Sequence, residues 1–333
     1  MKKIIILLSA VVAPMMAFAH VKWFVDSEAV IVRSHTATVF YNWSSKEVLI
    51  WSLITIVTVF VFSVIDRYAR SPKKIMDIGL RHEHTINRIA EVILGLFLIS
   101  VSLLWQIVIL PDAPATNTLL VSLMAVQAVL GVFFVFGKGV RYAALVLFVL
   151  TLAMTASHGI VVVLENAMLL ALAAYFFIIH SPEESRIFRL NKHAVEIVRI
   201  GTGVSLIVLA FTEKLLYPEL SLEFLAVHHW NFMQPIFPWF TNELFVLSTG
   251  FAEVIFGILF IMGYITRTTT ILIALFFLAS VTTMFAQFGA WEVEDLVVYS
   301  AAVLFLFYGH GKTKFFHFMW PNSRLHKAIF GKE

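Results

Sequence analysis

Long apolar runs limit what this chain can fold into more than any other feature of its sequence. Several extend for about 17 to 25 residues, the length that an α-helix needs to cross a hydrocarbon layer about 30 Å thick. Of the 333 residues, 60% are hydrophobic and only 14% are charged, whereas soluble domains are about half apolar and a quarter charged. A transmembrane β-barrel would alternate apolar and polar residues instead. The sequence therefore predicts an all-α polytopic membrane protein.

The beginning of the sequence is typical of a secretory signal peptide. Lys2 and Lys3 precede an apolar stretch, and Ala17-Phe18-Ala19 forms a small-residue cleavage site. We expect residues 1–19 to be removed; the alternative is an uncleaved first helix. Residues 20–47 are predicted to form a periplasmic segment. Nine transmembrane helices follow in the mature chain, at about 48–65, 87–110, 118–136, 140–157, 160–180, 195–216, 243–263, 267–286 and 294–309.

Basic residues predict the orientation of these helices, because loops rich in Lys and Arg stay in the cytoplasm. Outside the signal peptide, all but Lys22, Arg33, Lys46 and Lys214 fall in or at the edge of alternate loops, or after the ninth helix, where the basic tail at 313–333 follows. The mature N-terminus is then periplasmic and the C-terminus cytoplasmic, in a bacterial inner membrane. This placement also explains the net charge of +3, and we predict no nucleic-acid partner.

The chain has no cysteine, which excludes disulfides, thiol relays, persulfide carriers, Cys-ligated iron–sulfur clusters and covalently attached haem. A redox role would need a bound quinone, a His-ligated haem or metal, or a partner subunit that carries a redox centre. His180 and His310 end equivalent predicted helices, but no mid-membrane histidines face each other to bind a haem. Several outer histidines and acidic residues could assemble in principle, but no ligand spacing supports a metal site.

An internal repeat divides most of the chain into two tandem four-helix units, here called the first repeat (86–180) and the second repeat (195–312). Matching motifs occur in the same order in both. In the first repeat they are Arg88, Pro111, Gln127, Gly131, Gly137, Arg141 and Glu165; in the second they are Arg199, Pro218, Glu253, Gly257, Gly263, Arg267 and Glu294. Since each repeat has an even number of helices, both point the same way.

The second repeat resembles the DoxX family of four-helix bacterial membrane proteins, and the first repeat is a degenerate copy. The motifs that carry the resemblance are Arg199, Gly203, Glu213-Lys214, Glu253, Gly257, Gly263, Arg267, Glu294 and Gly309-His310-Gly311. The family takes its name from a subunit of a thiosulfate:quinone oxidoreductase, so the resemblance implies a quinone-linked membrane subunit. The first repeat has Gln127 in place of Glu253 and no clear counterpart of Glu213-Lys214, which directs attention to the second repeat.

Acidic residues of the second repeat are the candidate catalytic groups, because ionisable side chains inside a bilayer are costly and mark functional sites. Glu253 falls near the middle of its predicted helix, where a proton or a cation must neutralise it. Adjacent helical side chains point about 100° apart, so we expect Glu213 to turn inward and Lys214 to extend outward to the interface. Glu294 is the third candidate. The prediction is an acidic pocket that opens to the periplasm; packing, or an ordinary interfacial charge pair, is the alternative.

A segment of about 26 residues between the sixth and seventh helices is rich in aromatic residues and proline. Such a segment favours the membrane interface, and we expect it to form a lid over the second repeat. Its aromatic residues are expected to anchor it in the lipid; the alternative is that His229, Trp230 and Trp239 bind a quinone headgroup beneath it. Three functions follow: a subunit of a quinone-linked oxidoreductase, a proton-coupled carrier in which Glu253 is the switching carboxyl, and a scaffold for an envelope complex.

Overall fold

The structure, a computed structural model, describes residues 45–68, 73–110, 113–231, 233–288 and 295–311. Within these ranges the regular elements are all helices, with one isolated antiparallel bridge between Ile107 and Pro114. The predicted signal peptide, the periplasmic segment up to residue 44, the basic tail at 313–333 and Glu294 lie outside the described residues.

Twelve α-helices are described. In chain order they are α1 Lys46–Tyr68, α2 Lys73–Arg81, α3 Glu83–Ser100, α4 Thr118–Phe136, α5 Val140–Ala156, α6 Ile160–Glu165, α7 Ala167–Ile179, α8 Ala194–Ala210, α9 Pro218–His228, α10 Asn242–Met262, α11 Thr266–Phe288 and α12 Asp295–Tyr308. A 3₁₀ turn, Phe188–His193, leads into α8. Two π-helical turns, Val101–Trp105 and Phe211–Leu215, extend α3 and α8.

Five helical segments in the described residues are long and apolar enough to cross a membrane: Lys46–Asp66, Glu83–Trp105, Thr118–Phe136, Phe188–Leu215 and Asn242–Met262. The helices α5, α7 and α12 are apolar but shorter. Burial distinguishes the long helices, since 78% of the apolar window of α10 is buried against 11% of that of α1. Thus most of α10 is buried, while α1 exposes most of its apolar side chains.

Each predicted span contains helix, but two of them are not continuous. The range 160–180 breaks at Asn166, whose backbone is not helical and whose Nδ2 donates to Val162 O at 2.9 Å. The range 87–110 loses regular structure after Trp105, because Gln106 adopts a left-handed conformation with φ 54°. The apolar residues 107–110 that follow are buried in irregular backbone. Apolar character alone could not separate this buried segment from a helix.

The chain forms two compact bodies. Body I takes its described residues from Met1–Val59, Leu206–Phe256 and Leu275–Glu292; body II takes them from Phe60–Ser205, Gly257–Ala274 and Val293–Glu333. Within body II, helices of the first repeat pack against helices of the second repeat. Ser300 of α12 donates to Ala90 O of α3 at 2.9 Å, and a β-carbon on Gly201 of α8 would lie 2.5 Å from Ala171 of α7.

Three arginines in body II explain the repeated Arg and Gly motifs. The last carbonyls of a helix have no partner within it, and each arginine donates to two of them on a neighbouring helix. Arg88 bonds Phe134 O and Val135 O of α4, Arg199 bonds Phe260 O and Ile261 O of α10, and Arg267 bonds Leu306 O and Phe307 O of α12. Each of these helices then ends at a left-handed glycine, at Gly137, Gly263 and Gly309.

The end of α1 docks on the turn between α10 and α11, also within body II. Asp66 Oδ1 accepts a hydrogen bond from Ile265 N at 2.8 Å, which holds Ile265 in a left-handed conformation with φ 38°. Burial, and secondly the carboxylate of Asp66, raise the pKa of the neighbouring Tyr264 phenol. The phenol therefore stays neutral through the physiological range.

Candidate functional site

The candidate site lies in body I, where the π-helical turn Phe211–Leu215 packs beside the middle of α10. Single π-helical turns inside α-helices are rare and are frequent at functional sites. This turn carries Glu213 and Lys214, and α10 carries Glu253 at its centre. Both sequence-predicted acidic residues that the structure describes are therefore brought to one place.

Gly250 allows the turn and the helix to approach each other. A β-carbon on Gly250 would lie 2.8 Å from Leu215 Cδ2 and 3.2 Å from Lys214 Cβ. Real β-carbons almost never lie within 3.0 Å of another atom, so a larger residue at this position would require the Leu215 side chain to shift and Lys214 Cβ to give by a few tenths of an ångström. Because Gly250 lies one helical turn before Glu253, the same close approach brings Lys214 within reach of the carboxylate.

Lys214 joins the two carboxylates. Its Nζ lies 3.0 Å from Glu253 Oε1 and 4.0 Å from Glu213 Oε2. The side chains of Lys214 and Glu213 are each 1% exposed, and that of Glu253 is 13% exposed. Removing a carboxylate or an ammonium from water costs several kcal/mol, so buried charges persist only when they are paired. The three residues are therefore one electrostatic unit, here called the Lys214 cluster.

The expected direction of Lys214 is wrong. The sequence suggested that this side chain would extend outward to the interface, but it is buried and pairs with Glu253. The expectation used the angle of about 100° between neighbours in a regular α-helix. A π-helical turn is wider and reduces this angle, so Glu213 and Lys214 can both point inward. No local sequence signal indicates this turn.

Apolar side chains pack around the cluster. Val48 of α1, Leu215, Leu247 and Phe251 form a buried group, and Trp51, Phe211 and Val254 pack against it. Because Leu215 and Val254 are the chain neighbours of Lys214 and Glu253, this group excludes water from the side of the ion pair that they cover. The packing strengthens the attraction between the charges and raises the penalty for separating them.

The first repeat contains a neutral version of this arrangement in body II. Its π-helical turn, Val101–Trp105, lies opposite Gln127, the residue that corresponds to Glu253. Gln127 is fully buried, and its Nε2 donates to Ser102 Oγ at 3.0 Å and to Ile107 O at 3.4 Å. Ser102 therefore lies where the second repeat has Glu213-Lys214, and the sequence alone had shown no clear counterpart of that pair. Both repeats have a π-helical turn at this position, but the side chains are neutral in the first repeat and ionisable in the second.

The aromatic segment after the turn is well packed and touches the site. Its helix α9 docks through Ser221, whose buried Oγ donates to Glu213 O at 2.8 Å. Trp230 is buried in a cluster with Phe224, which it meets edge to face. Asn231 closes the segment by donating to Phe240 O at 2.8 Å. The segment is therefore a folded cap on the turn rather than an extended linker.

The three predicted quinone-binding residues occupy different environments. Trp230 lies in the core of the cap with 6% exposure, whereas Trp239 is 66% exposed and packs its ring against Phe237 and Phe240. His229 is exposed and ends α9 in a left-handed conformation. Of the three, His229 and Trp239 present surface that a ligand could meet, and Trp230 supports the cap.

The structure describes some of the remaining acidic residues but not Glu294. Glu294 lies outside the described residues, but its neighbour Asp295 begins α12 and is 2% exposed. Glu165, the corresponding residue of the first repeat, is buried at the end of α6. Among the described residues, no group of three or more His, Asp and Glu side chains is arranged to hold a metal ion.

The chain matches no protein-family model, no curated protein and no solved structure. The resemblance to the DoxX family therefore stays a prediction that rests on the residues of the second repeat.

Proposed function

We propose that this chain is a DoxX-like protein of the bacterial inner membrane whose Lys214 cluster binds and releases protons for a quinone-linked oxidoreductase. In this proposal nine helices cross the membrane, the mature N-terminus is periplasmic and the C-terminus is cytoplasmic. The chain acts as the membrane subunit, and a partner subunit carries the redox centre.

The observation that carries the proposal is the contact of 3.0 Å between Lys214 Nζ and Glu253 Oε1 with both side chains largely buried. Such a pair is seldom the cheapest way to stabilise a core, because apolar residues of similar volume often do as well or better. Its presence in the middle of an apolar helix favours a functional role.

Proton exchange follows from the number of groups that share the site. Lys214 lies within 4.0 Å of two carboxylates, so a change in the charge of one residue alters the field at the other two. A proton that reaches Glu253 weakens its hold on Lys214, and a proton that leaves restores the pair.

A quinone can use this chemistry. Its reduction to quinol takes up two electrons and two protons; the partner subunit would supply the electrons, and the Lys214 cluster the protons. Glu294 stays a proposed third proton group on the basis of the sequence. The cap supports the proposal, since Ser221 links it to Glu213 while His229 and Trp239 are exposed on it.

A proton-coupled carrier is the second candidate, and the near-complete burial of Lys214 and Glu213 favours it. In a carrier of this kind, Glu253 would be the switching carboxyl, released from Lys214 when it is protonated. The substrate would bind in one protonation state and leave in the other. This function needs no redox partner.

The test compares Glu253→Gln with Glu243→Gln in liposomes that contain the purified full-length chain. The control changes an exposed carboxylate on the same helix. Glutamine is a suitable replacement for Glu253, because the first repeat has Gln127 at the corresponding position. Decylubiquinone binding is measured by quenching of tryptophan fluorescence, and proton movement by a dye trapped inside the liposomes.

Loss of decylubiquinone binding in Glu253→Gln, with binding retained in Glu243→Gln, supports the quinone-linked function. A proton flux that depends on an added solute and disappears only in Glu253→Gln supports the carrier instead. Unchanged behaviour of Glu253→Gln in both assays, with partner proteins still copurifying from mild detergent, refutes both and leaves the scaffold function.

A further inference from the structure

Arg141 differs from the three arginines that bond the last carbonyls of neighbouring helices. It is the second residue of α5, as Arg267 is the second residue of α11, and the sequence repeat makes the two equivalent. Arg267 donates to Leu306 O and Phe307 O of α12, each at 2.9 Å. In the part of the chain that the structure describes, Arg141 forms no hydrogen bond of this kind. Its donors are therefore not used on the end of a helix.

The carbonyls that correspond to these acceptors are already bonded at the end of α7. With His180 aligned on His310, they belong to Phe176 and Phe177. Phe176 O accepts a hydrogen bond from His180 N at 3.3 Å, and Phe177 O accepts one from Ser181 Oγ at 2.7 Å. The chain that follows α7 thus supplies donors for its last turn, and an arginine is not needed there.

The guanidinium of Arg141 instead lies over the ring of Phe177. Its Cζ is 5.4 Å from the ring centroid, within the range of about 6 Å for a cation–π contact. That contact uses the face of the guanidinium, whereas the N–H donors point outward in its plane. Nε is buried without an acceptor among the described residues, and the side chain as a whole is partly exposed. Acceptors for the terminal nitrogens must therefore come from the exposed side.

The surroundings of Arg141 favour an anion. Glu91, a buried carboxylate of α3, is engaged at both oxygens, with Oε2 2.8 Å from Arg88 Nη1 and Oε1 2.6 Å from His180 Nε2. Within the described ranges no carboxylate forms an ion pair with Arg141, and the first turn of α5 has no acidic residue. Lys138, three residues earlier, is exposed. Two cations therefore lie close together in the sequence at the end of α5 that the positive loops assign to the cytoplasm.

The face of α5 that carries Arg141 continues as exposed apolar side chains. Leu145 and Val149 follow at intervals of four residues, so they lie on the same face of the helix. They are 43% and 57% exposed. The acyl chain of a phospholipid whose headgroup meets the guanidinium would run along this row, whereas a free phosphate would make no use of it.

We propose that Arg141 binds the phosphate group of an anionic phospholipid at the end of the molecule assigned to the cytoplasm. The planar guanidinium suits the oxygens of a phosphate, to which it can donate two hydrogen bonds. Phe177 holds the plane of the group, and Lys138 favours a headgroup with a net negative charge over a zwitterionic one. Basic sites between helices on the cytoplasmic side are suited to such headgroups. The proposal does not rest on the proton chemistry of the Lys214 cluster.

The experiment measures binding to the fluorescently labelled full-length protein in detergent by microscale thermophoresis. Dioctanoylphosphatidylglycerol, dioctanoylphosphatidylcholine and sodium phosphate are titrated separately at constant ionic strength. We expect the wild type to bind the phosphatidylglycerol most tightly. Arg141→Gln should weaken this binding about tenfold or more, because charged hydrogen bonds to the phosphate are lost. Arg81→Gln is the matched control, since it removes the same charge from an exposed arginine at the end of α2.

Binding of the phosphatidylglycerol that is lost in Arg141→Gln and kept in Arg81→Gln supports the proposal. Equal weakening in both variants would overturn it, because net charge alone would then explain the binding. Sodium phosphate that binds as tightly as the lipid, and that also depends on Arg141, would overturn the lipid as the source of the phosphate. If Arg141→Gln does not fold, the wild type decides, since equal affinity for the two lipids contradicts an anion site.

Discussion

The guanidinium of Arg199 occupies the space that a side chain on Gly263 would need. A β-carbon on Gly263 would lie 2.7 Å from Arg199 Nη1, and the glycine has φ 77°. One position therefore requires glycine for two reasons, the left-handed backbone and the arginine that bonds the last carbonyls of α10.

We expect Gly263→Ala to destabilise the protein more than Gly139→Ala. Gly139 has a similar φ of 67°, but a β-carbon there would meet only Phe133 at 3.6 Å, an ordinary contact. Both substitutions should cost about 1–2 kcal/mol for the left-handed backbone. Gly263→Ala should also displace Arg199 and lose charged hydrogen bonds, at about 1.5–3 kcal/mol. Urea unfolding in detergent measures the free energies of unfolding of the two variants. Equal losses would mean that Arg199 does not require glycine at position 263.

The Lys214–Glu253 pair should show strong coupling in a double-mutant cycle. Lys214→Met removes the buried cation that lies beside two carboxylates and should cost about 3–5 kcal/mol. The double variant Lys214→Met/Glu253→Gln removes the pair and should be less destabilised than the sum of the single variants, by about 0.5–3 kcal/mol. Unfolding free energies of the four proteins test this. Simple additivity would mean that the contact of 3.0 Å does not hold the two residues together.

The hydrogen bond from Ser221 to Glu213 O should keep the cap closed on the π-helical turn. Ser221→Ala is expected to lower the free energy of local opening of α9 by about 0.5–1.5 kcal/mol, since a buried carbonyl loses its donor. Hydrogen exchange of residues 218–228 measures this. Ser122→Ala is the control, because it removes an exposed serine hydroxyl that bonds Thr118 O within its own helix, outside the cap. Equal exchange in Ser221→Ala and wild type would contradict a closing role.

Single cysteines can test the proposed orientation, because the natural chain has none and gives no background. Lys138 and Ser157 are exposed at opposite ends of α5. In spheroplasts, an impermeant maleimide should label Ser157→Cys directly and Lys138→Cys only after the membrane is permeabilised. The reverse pattern would invert the topology, and labelling of both without permeabilisation would show that α5 does not cross the membrane.

The sequence determined where most of the helices lie and which glycines and arginines recur in the two repeats. Apolar length and turn residues are local properties, so α4 begins and ends at the predicted residues 118 and 136. The repeat identified Glu253 and Gln127 as corresponding residues for the same reason. Glu213 and Glu253 could be grouped because both are acidic residues in apolar helices of one repeat.

Only the tertiary structure decided the direction of Lys214, the partnership of Glu91 with His180 and the packing of α12 on α3. The first depends on a π-helical turn that packs closely against Gly250, and the other two join residues far apart in the chain. Side-chain direction and long-range contact are set by which surfaces pack together. That packing is a property of the whole fold, and no local pattern in the sequence specifies it.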